Sequence, residues 1–513
     1  MGNPLFATKS IAHLRAEADH GGGLKRTLGA FDLVALGIGA IIGAGLFVRT
    51  AAAAAMNAGP SVTLGFIIAA IGSAFAGLCY AELASMIPMA GSAYTYAYAT
   101  MGELVAWMIG WDLILEYAIG AATVAIAWSE YLNKLLNFFG AQVPYAWSHS
   151  PFQSAVENGV PVHGIMNVPA LFIVLVLSLL LVRGTRESAF VNGLIVITKV
   201  AIVVLFIAFG WQFINPANHT PYIPPPGHYI DPDGVSHHFG GLMGLLGAGG
   251  VVFFAFIGFD AVSTAAQEAK KPRRDMPIGI LGSLAICTVL YILFAHVLTG
   301  LASVNDFRTH GSEASVVFAI ETYMHGYGWL AKFVTVAILA GFSSVILVML
   351  LGQSRVFFAM SHDGLVPRVF SDTHPRFKTP YKSNLIFFVF VGLFAAFVPG
   401  NIVGDMTSIG TLFAFILVCA GVWILRVRHP GLPREFRVPL VPLFPILGMI
   451  VCAAMIFGLG WTNWLRLAVW LVIGMAIYFG YGRKHSKLRA GVDVVSADGG
   501  GPVTVGERPP PSP

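Results

Sequence analysis

Apolar runs of roughly twenty residues, each enough to cross about 30 Å of hydrocarbon as a helix, recur along nearly the whole chain. They fall near 33–57, 61–86, 98–126, 167–183, 190–214, 245–267, 278–302, 329–358, 384–399, 403–426, 441–461 and 463–481. The pattern predicts about twelve helices bundled within a bilayer. Two polar intervals have some substance, Asn133–Asn167 and Asn215–Gly240, and the second carries Pro224-Pro225-Pro226 and the pair His237-His238. Two apolar runs are interrupted. The first contains Gly37-Ile38-Gly39-Ala40-Ile41-Ile42-Gly43-Ala44-Gly45, and the sixth contains Gly258 followed by a polar run through Asp260, Ser263 and Thr264.

An interior glycine costs a helix about 1 kcal/mol relative to alanine, and unwound backbone at membrane depth persists only where it lines protein or a cavity. Two explanations compete: close helix packing through small residues, or a break built to bind something. The interruptions occupy the same place in two successive groups of five helices, which points to a transporter site between repeats.

Composition agrees with a membrane class. Of 513 residues, 56% are hydrophobic and only 11% are charged. Cations concentrate at Arg183/Arg186, at Lys270-Lys271-Pro272-Arg273-Arg274, at Arg368/Arg376/Lys378/Lys382, at Arg426/Arg428/Arg434/Arg437 and at Arg483-Lys484. With both termini cytoplasmic, all of these lie inside, as the positive-inside rule requires, and only Lys134, Arg308 and Arg466 fall outside. The net charge of +5 is thereby a product of topology and does not point to nucleic acid. Cys79, Cys287, Cys419 and Cys452 are isolated within apolar runs, with no metal or disulfide spacing. No further ligand is spaced to join His237-His238 in a metal site. No cofactor is expected.

Residues 1–30 form a polar N-terminal segment without the apolar core of a signal peptide, so the first helix would serve as its own insertion signal. Residues 31–482 form the membrane domain, with halves at about 31–214 and 240–426 and two further helices within 441–481. Residues 483–513 are rich in Gly, Pro and Ser toward the end and are expected to be a disordered cytoplasmic tail.

Six motifs in order carry a family resemblance: Gly39-Ala40-Ile41-Ile42-Gly43-Ala44-Gly45, Tyr80-Ala81-Glu82-Leu83, Pro88-Met89-Ala90-Gly91-Ser92-Ala93-Tyr94, Trp111-Asp112-Leu113-Ile114-Leu115-Glu116-Tyr117, the run Phe253 to Thr264, and Gly352-Gln353-Ser354-Arg355. On these residues the chain resembles the amino acid-polyamine-organocation (APC) superfamily, within it the cationic amino acid transporter branch and its bacterial relatives. The resemblance implies an all-α polytopic membrane protein with the LeuT-like fold, two inverted five-helix repeats with discontinuous first and sixth helices, followed by two more helices. It also implies amino acid transport by alternating access across the cytoplasmic membrane.

A zwitterion in a low-dielectric pocket needs donors for its carboxylate and acceptors for its ammonium, because either charge left bare costs several kcal/mol. Broken helices supply both: free N–H groups at a half-helix N-terminus and free carbonyls at the unwound turn. By the resemblance, the amides around Gly43, Ala44 and Gly45 take the carboxylate, and the carbonyls of Ile41, Phe254, Ala255 and Ile257 take the amino group. Phe254 closes over the ligand as an aromatic gate, unless it is simply core. Many relatives carry a hydroxyl residue where Ala44 stands, so one carboxylate contact is missing here.

Lys199 sits mid-helix, where a lysine costs roughly 2.5–3.5 kcal/mol on insertion scales and so needs a partner or a task. In similar proton-coupled family members a fifth-helix lysine stands where sodium-coupled relatives bind the ion, which makes Lys199 the proton-coupling residue; the alternative is a static ion pair with an acid such as Asp260. Ser343 and Ser344 on the eighth helix are expected near it. Asp112 and Glu116 share one helical face. The resemblance puts Glu116 at the side-chain end of the pocket, either pairing with a cationic substrate or holding the bundle, and Gly120 one turn on leaves room for a side chain. Asp112 is expected to be structural, His296 a core residue, and Asp260 an N-cap of the restarted sixth helix.

The expected function is a proton-coupled, sodium-independent L-amino acid symporter, with a uniporter, an exchanger or a transport-inactive sensor as alternatives. Its partners are the amino acid, protons and the lipid bilayer; a small accessory membrane protein is left open. A channel would need a continuous polar stripe, and a membrane enzyme would need a His, Cys or acidic cluster near an interface; the chain has neither.

Overall fold

A computed structural model describes residues 4–9, 27–87, 92–157, 160–184, 189–231, 234–264, 269–309, 315–377, 379–434 and 436–489. Most of the N-terminal segment, residues 88–91, Arg186, Lys378 and the tail beyond Arg489 lie outside the described residues. Within them, seven helices are long and apolar enough to cross a membrane, and five shorter apolar helices accompany them. In chain order the apolar helical segments of ten residues or more are Ala30–Ile41 with 45–58, Val62–Met86, Glu103–Asn137, Val168–Arg183, Ala189–Gly210, Gly241–Phe256, Pro272–Leu301, Gly328–His362, Tyr381–Phe397, Gly400–Arg428, Leu443–Gly458 and Trp461–His485. They are called the first to twelfth helices below. Every predicted apolar run has become one of them.

The departure from an all-helical chain lies in the two long polar intervals, each of which folds back as a short antiparallel hairpin, Ser154–Glu157 with Val160–His163 and Gly227–Ile230 with Ser236–Phe239. Chain leaving the hydrocarbon layer no longer has to satisfy its amides within one helix, so a ladder between neighbouring strands serves equally well. Arg308 braces the second hairpin, donating to the Ala55 carbonyl at 2.8 Å with its guanidinium over Tyr229 and Phe239.

Inside a bilayer, apolar contact between helices gains little over contact with lipid, so close van der Waals approach decides packing. Glycines provide it. A Cβ on Gly37 would lie 2.4 Å from Ser283 Oγ on the seventh helix, one on Gly39 2.5 Å from Val196 Cγ2 on the fifth, and one on Gly279 2.7 Å from Leu33 Cβ. Packing and breakage, the two explanations for the glycine-rich first helix, are both realised, at different glycines.

The cation-rich face is pinned by buried acids. Glu82, fully buried, accepts from Arg426 Nε and Nη2 at 2.9 and 2.7 Å, from Arg434 Nε at 3.0 Å and from the Val438 amide at 2.7 Å. These four donors occupy all the acceptor capacity of a carboxylate. Glu103 accepts from Tyr98, Tyr478, Ser486 and Arg489. Residues 483–489, the head of the segment expected to be disordered, are therefore docked: Arg483–His485 is a helical turn, and Ser486 and Arg489 supply two of the four donors to a buried carboxylate, Arg489 being its cation. On the same face Lys9 pairs with Asp363, which also accepts from Tyr94 Oη at 2.6 Å.

Candidate functional site

Both interrupted helices come apart where the glycines fall. Ala30–Ile41 ends at Ile42, whose backbone is extended, and the chain re-enters a helical path at Ala44 as a π-helical turn, Gly45–Arg49. Gly241–Val252 tightens into a 3-10 turn over Phe253–Phe256, then Ile257 leaves the helical region with ψ 135° and Gly258 takes φ +112°, a conformation that L side chains rarely adopt. A short helix resumes at Ala261–Thr264.

The breaks lie against each other. A Cβ on Gly45 would stand 2.2 Å from Ala255 Cα and 2.5 Å from its nitrogen, and one on Gly258 would stand 2.8 Å from the Ala40 carbonyl oxygen. Gly43 faces Val345 of the eighth helix, 3.2 Å from an added Cβ. The amides of Gly43, Ala44 and Gly45 open the restarted half-helix, and the first N–H groups of a helix have no intrahelical acceptors. Residues predicted to bind opposite ends of an amino acid are thus neighbours.

Two of the four carbonyls predicted to receive the ammonium converge on one hydroxyl. Tyr291 Oη of the seventh helix donates to Ile41 O at 2.9 Å and Ala255 O at 3.0 Å. One hydroxyl proton cannot satisfy two carbonyls fully, so the pair keeps acceptor capacity. The Phe254 carbonyl receives the Ile257 amide at 3.3 Å, and the Phe254 side chain is buried.

Lys199 is fully embedded, and its Nζ donates to the Gly39 carbonyl at 2.8 Å. Gly39 lies in the last turn before the break, where carbonyls lack intrahelical donors and the helix carries partial negative charge. A cation there satisfies both. The stem of Lys199 runs against Gly341, whose added Cβ would lie 2.8 Å from Lys199 Cε. No ion pair joins Lys199 to Asp260 or to another acid among the described residues. The eighth helix meets Lys199 at Gly341; Ser343 bonds instead to Leu339 O at 2.9 Å and accepts from Trp128 Nε1 at 3.1 Å, and Ser344 is half-buried.

Glu116 occupies a π-helical turn of the third helix, Leu115–Ile119, fully buried beside Asp260 and Thr411. Neither of its carboxylate oxygens has a hydrogen-bond donor among the described residues, nor has either oxygen of Asp112, which is also fully buried. Asp260 does not cap the sixth helix with its side chain. Its Oδ2 accepts from Tyr117 Oη at 2.8 Å, while its backbone carbonyl receives the Ser263 amide at 2.8 Å. Gly120 looks onto Met349 and Thr407, with Met349 Sδ and Thr407 Cγ2 both 3.3 Å from an added Cβ. His296 is half-buried and lies between the rings of Trp211 and His219, tilted to both.

Beyond the break, Arg49 at the end of the π-helical turn pairs with Asp405 of the tenth helix, both buried, and Asn463 Nδ2 donates to Asp405 Oδ2 at 3.3 Å. A cleft of about 30 Å³ lies at this pair, lined in part by Arg49, Thr123 and Asn401. The polar interval with the histidine pair reaches the same region: His237 Nε2 lies 2.9 Å from Asp231 Oδ2, and both residues line a small cavity with Asp405 and Arg466. Sequence reasoning missed Tyr291 and the Arg49–Asp405 pair. Arg49 carried a signal, a cation inside an apolar run, whereas a tyrosine in an apolar helix carries none.

The chain matches the amino acid permease family over residues 28–479. It is 43% identical over 488 residues to a branched-chain amino acid permease, BcaP, of Bacillus subtilis, covering 95% of this chain and 100% of that protein. It is 39% identical to a methylthioribose transporter of the same organism, over 94% of this chain and 99% of that one. It is 28% identical to human cationic amino acid transporter 4, over 90% and 88%.

Proposed function

Because this chain belongs to the amino acid permease family of multi-pass membrane proteins, we propose that it is a secondary active transporter of aliphatic L-amino acids, coupled to protons and independent of sodium. The observation that carries the proposal is the contact of the two breaks at Gly45 and Ala255. It brings free amides and carbonyls with spare acceptor capacity to one point without a charged side chain, which is the chemistry a zwitterion requires. The repeats are taken as an inverted pair at about 31–214 and 240–426, with both termini cytoplasmic.

In this mechanism the substrate carboxylate binds the amides of Gly43, Ala44 and Gly45. Its ammonium binds the carbonyls of Ile41, Phe254, Ala255 and Ile257, and Phe254 closes over it. The side chain extends toward Gly120, Met349 and Thr407, apolar surroundings that suit a branched aliphatic group, as transported by the Bacillus subtilis permease. A second reading, a cationic substrate, is favoured by the donor-free carboxylate of Glu116.

Lys199 couples the cycle to protons. As an ammonium it holds the Gly39 carbonyl through charge, dipole and hydrogen bond together; as a neutral amine it loses the charge and loosens the half-helix that presents Ile41. Substrate affinity then differs between the two protonation states, the condition that coupling requires. The Arg49–Asp405 pair closes the outer path between the first and tenth helices.

The test is uptake of labelled leucine and arginine into sodium-free proteoliposomes, with and without an inward proton gradient, for wild type and Lys199→Ala. Gradient-driven accumulation that the variant loses supports symport through Lys199. Uptake that only equilibrates, whatever the gradient, makes the protein a uniporter or exchanger.

A further inference from the structure

An open groove of about 560 Å³ runs along the seventh helix from its cation-rich end, with Arg273 and Arg274 at the head and Pro277, Ile278, Leu281 and Phe436 along the wall. Lys270, Lys271, Arg273 and Arg274 are all exposed, as is Arg437 next to Phe436. Among the described residues the acid beside them, Asp275, is buried and accepts from the Lys271 amide at 3.1 Å.

We propose that this groove holds one anionic phospholipid of the leaflet on the cation-rich face, its phosphate at Arg273 and Arg274 and an acyl chain along Ile278 and Leu281. A cation cluster at the level of the headgroups attracts anionic lipid, and arginine forks match phosphate oxygens. A soluble anion would use the head of the groove alone. The apolar wall, which continues toward the bilayer core, selects an occupant with a charged end and a hydrocarbon end.

The groove runs between the seventh helix and Phe436, and the seventh helix packs at its far end on the first. Gly282, at its far end, approaches Val34, with Val34 Cγ2 3.1 Å from an added Cβ, and Gly279 packs on Leu33. The Lys270 amide donates to the Leu28 carbonyl at 2.8 Å, joining the cation-rich segment to the start of the first helix. A lipid bound here braces the half-helix that carries Gly39 and Ile41. The site stands on the groove; only its effect on transport rests on the function proposed above.

The test uses the full chain, purified and then exchanged into nanodiscs of phosphatidylcholine containing phosphatidylglycerol with the same acyl chains, with retained lipid counted by native mass spectrometry after delipidation. The wild type is expected to retain phosphatidylglycerol over phosphatidylcholine by on the order of tenfold. R273Q/R274Q loses that preference, and Ile278→Trp, which fills the groove with all cations intact, loses retention. Equal retention by wild type and R273Q/R274Q overturns the proposal, as does displacement of the lipid by soluble glycerol phosphate alone. If R273Q/R274Q fails to fold, Ile278→Trp decides: undiminished retention overturns the site. An absence of transport in every lipid mixture, with retention as expected, counts against the transport reading and leaves the lipid site standing.

Discussion

Gly45→Ala tests whether the two broken helices form one site. Two effects oppose each other. Alanine is better in a helix than glycine by about 1 kcal/mol, so the π-helical turn that starts at Gly45 gains from the change. Against this, the new Cβ would sit 2.2 Å from Ala255 Cα and 2.5 Å from Ala255 N, more than an ångström inside ordinary contact. Both obstructing atoms are backbone, so no rotamer change relieves the clash and the breaks must separate. Overpacking of this kind costs about 1–3 kcal/mol, and losing one hydrogen bond to a charged group costs about 1.5–3 kcal/mol more, so the clash outweighs the propensity gain.

The expected result is a fall in apparent affinity for leucine on the order of tenfold to a hundredfold, with the protein still folded. Competition binding in detergent, with thermal stability measured in parallel, separates the two effects. Gly43→Ala is the control: its Cβ meets a Val345 methyl at 3.2 Å, which a small turn of that side chain relieves, so the affinity loss is several-fold smaller. Wild-type affinity in a folded Gly45→Ala protein would show that the breaks are not two halves of one binding site.

Tyr291→Phe removes the donor shared by Ile41 O and Ala255 O. An unsatisfied buried carbonyl costs about 1–3 kcal/mol, so the melting temperature falls, and saturating leucine restores more of it than it adds to wild type; equal ligand-induced shifts would refute this. Arg49→Gln leaves Asp405 buried without its cation, a loss of about 3–5 kcal/mol in stability, and combining it with Asp405→Asn recovers much of the loss. Additive losses in that double-variant cycle would deny the pair. Arg489→Ala, which strips one donor from Glu103, is expected to destabilise the cation-rich face by about 1.5–3 kcal/mol and to expose residues 483–489 to limited proteolysis; unchanged cleavage would mean that segment is not held by Glu103.

The membrane helices were legible because hydrocarbon thickness sets their length, and length survives in sequence without any knowledge of neighbours. The breaks were legible for a related reason: glycine announces backbone that departs from a helix, and at Gly43 and Gly258 the departure is there. Gly37 and Gly39 show the limit of that inference, since identical residues a turn away serve packing. What pairs across the bundle was out of reach. Ile41 and Tyr291 are 250 positions apart, and Arg49 and Asp405 are 356 apart. Asp260 shows the same limit, because its position after a break suggests a helix cap while the hydroxyl that claims it comes from Tyr117 on another helix.

The N-terminal half of the first helix is secured near its end through carbonyls: Gly39 O by Lys199 and Ile41 O by Tyr291. In the proposed cycle the substrate ammonium seeks Ile41 O and Ala255 O, the two acceptors that Tyr291 bridges. Binding therefore competes with the hydroxyl, and release of the Lys199 proton toward the side that receives the substrate weakens the other tether. Each event alone leaves one carbonyl contact holding the half-helix; together they release both. That arrangement gives coupling a physical form, because the movement that frees the inner path becomes inexpensive only when substrate and protonation change coincide. It also explains why a lysine suits this position better than an arginine, which stays charged at any accessible pH and would hold Gly39 throughout.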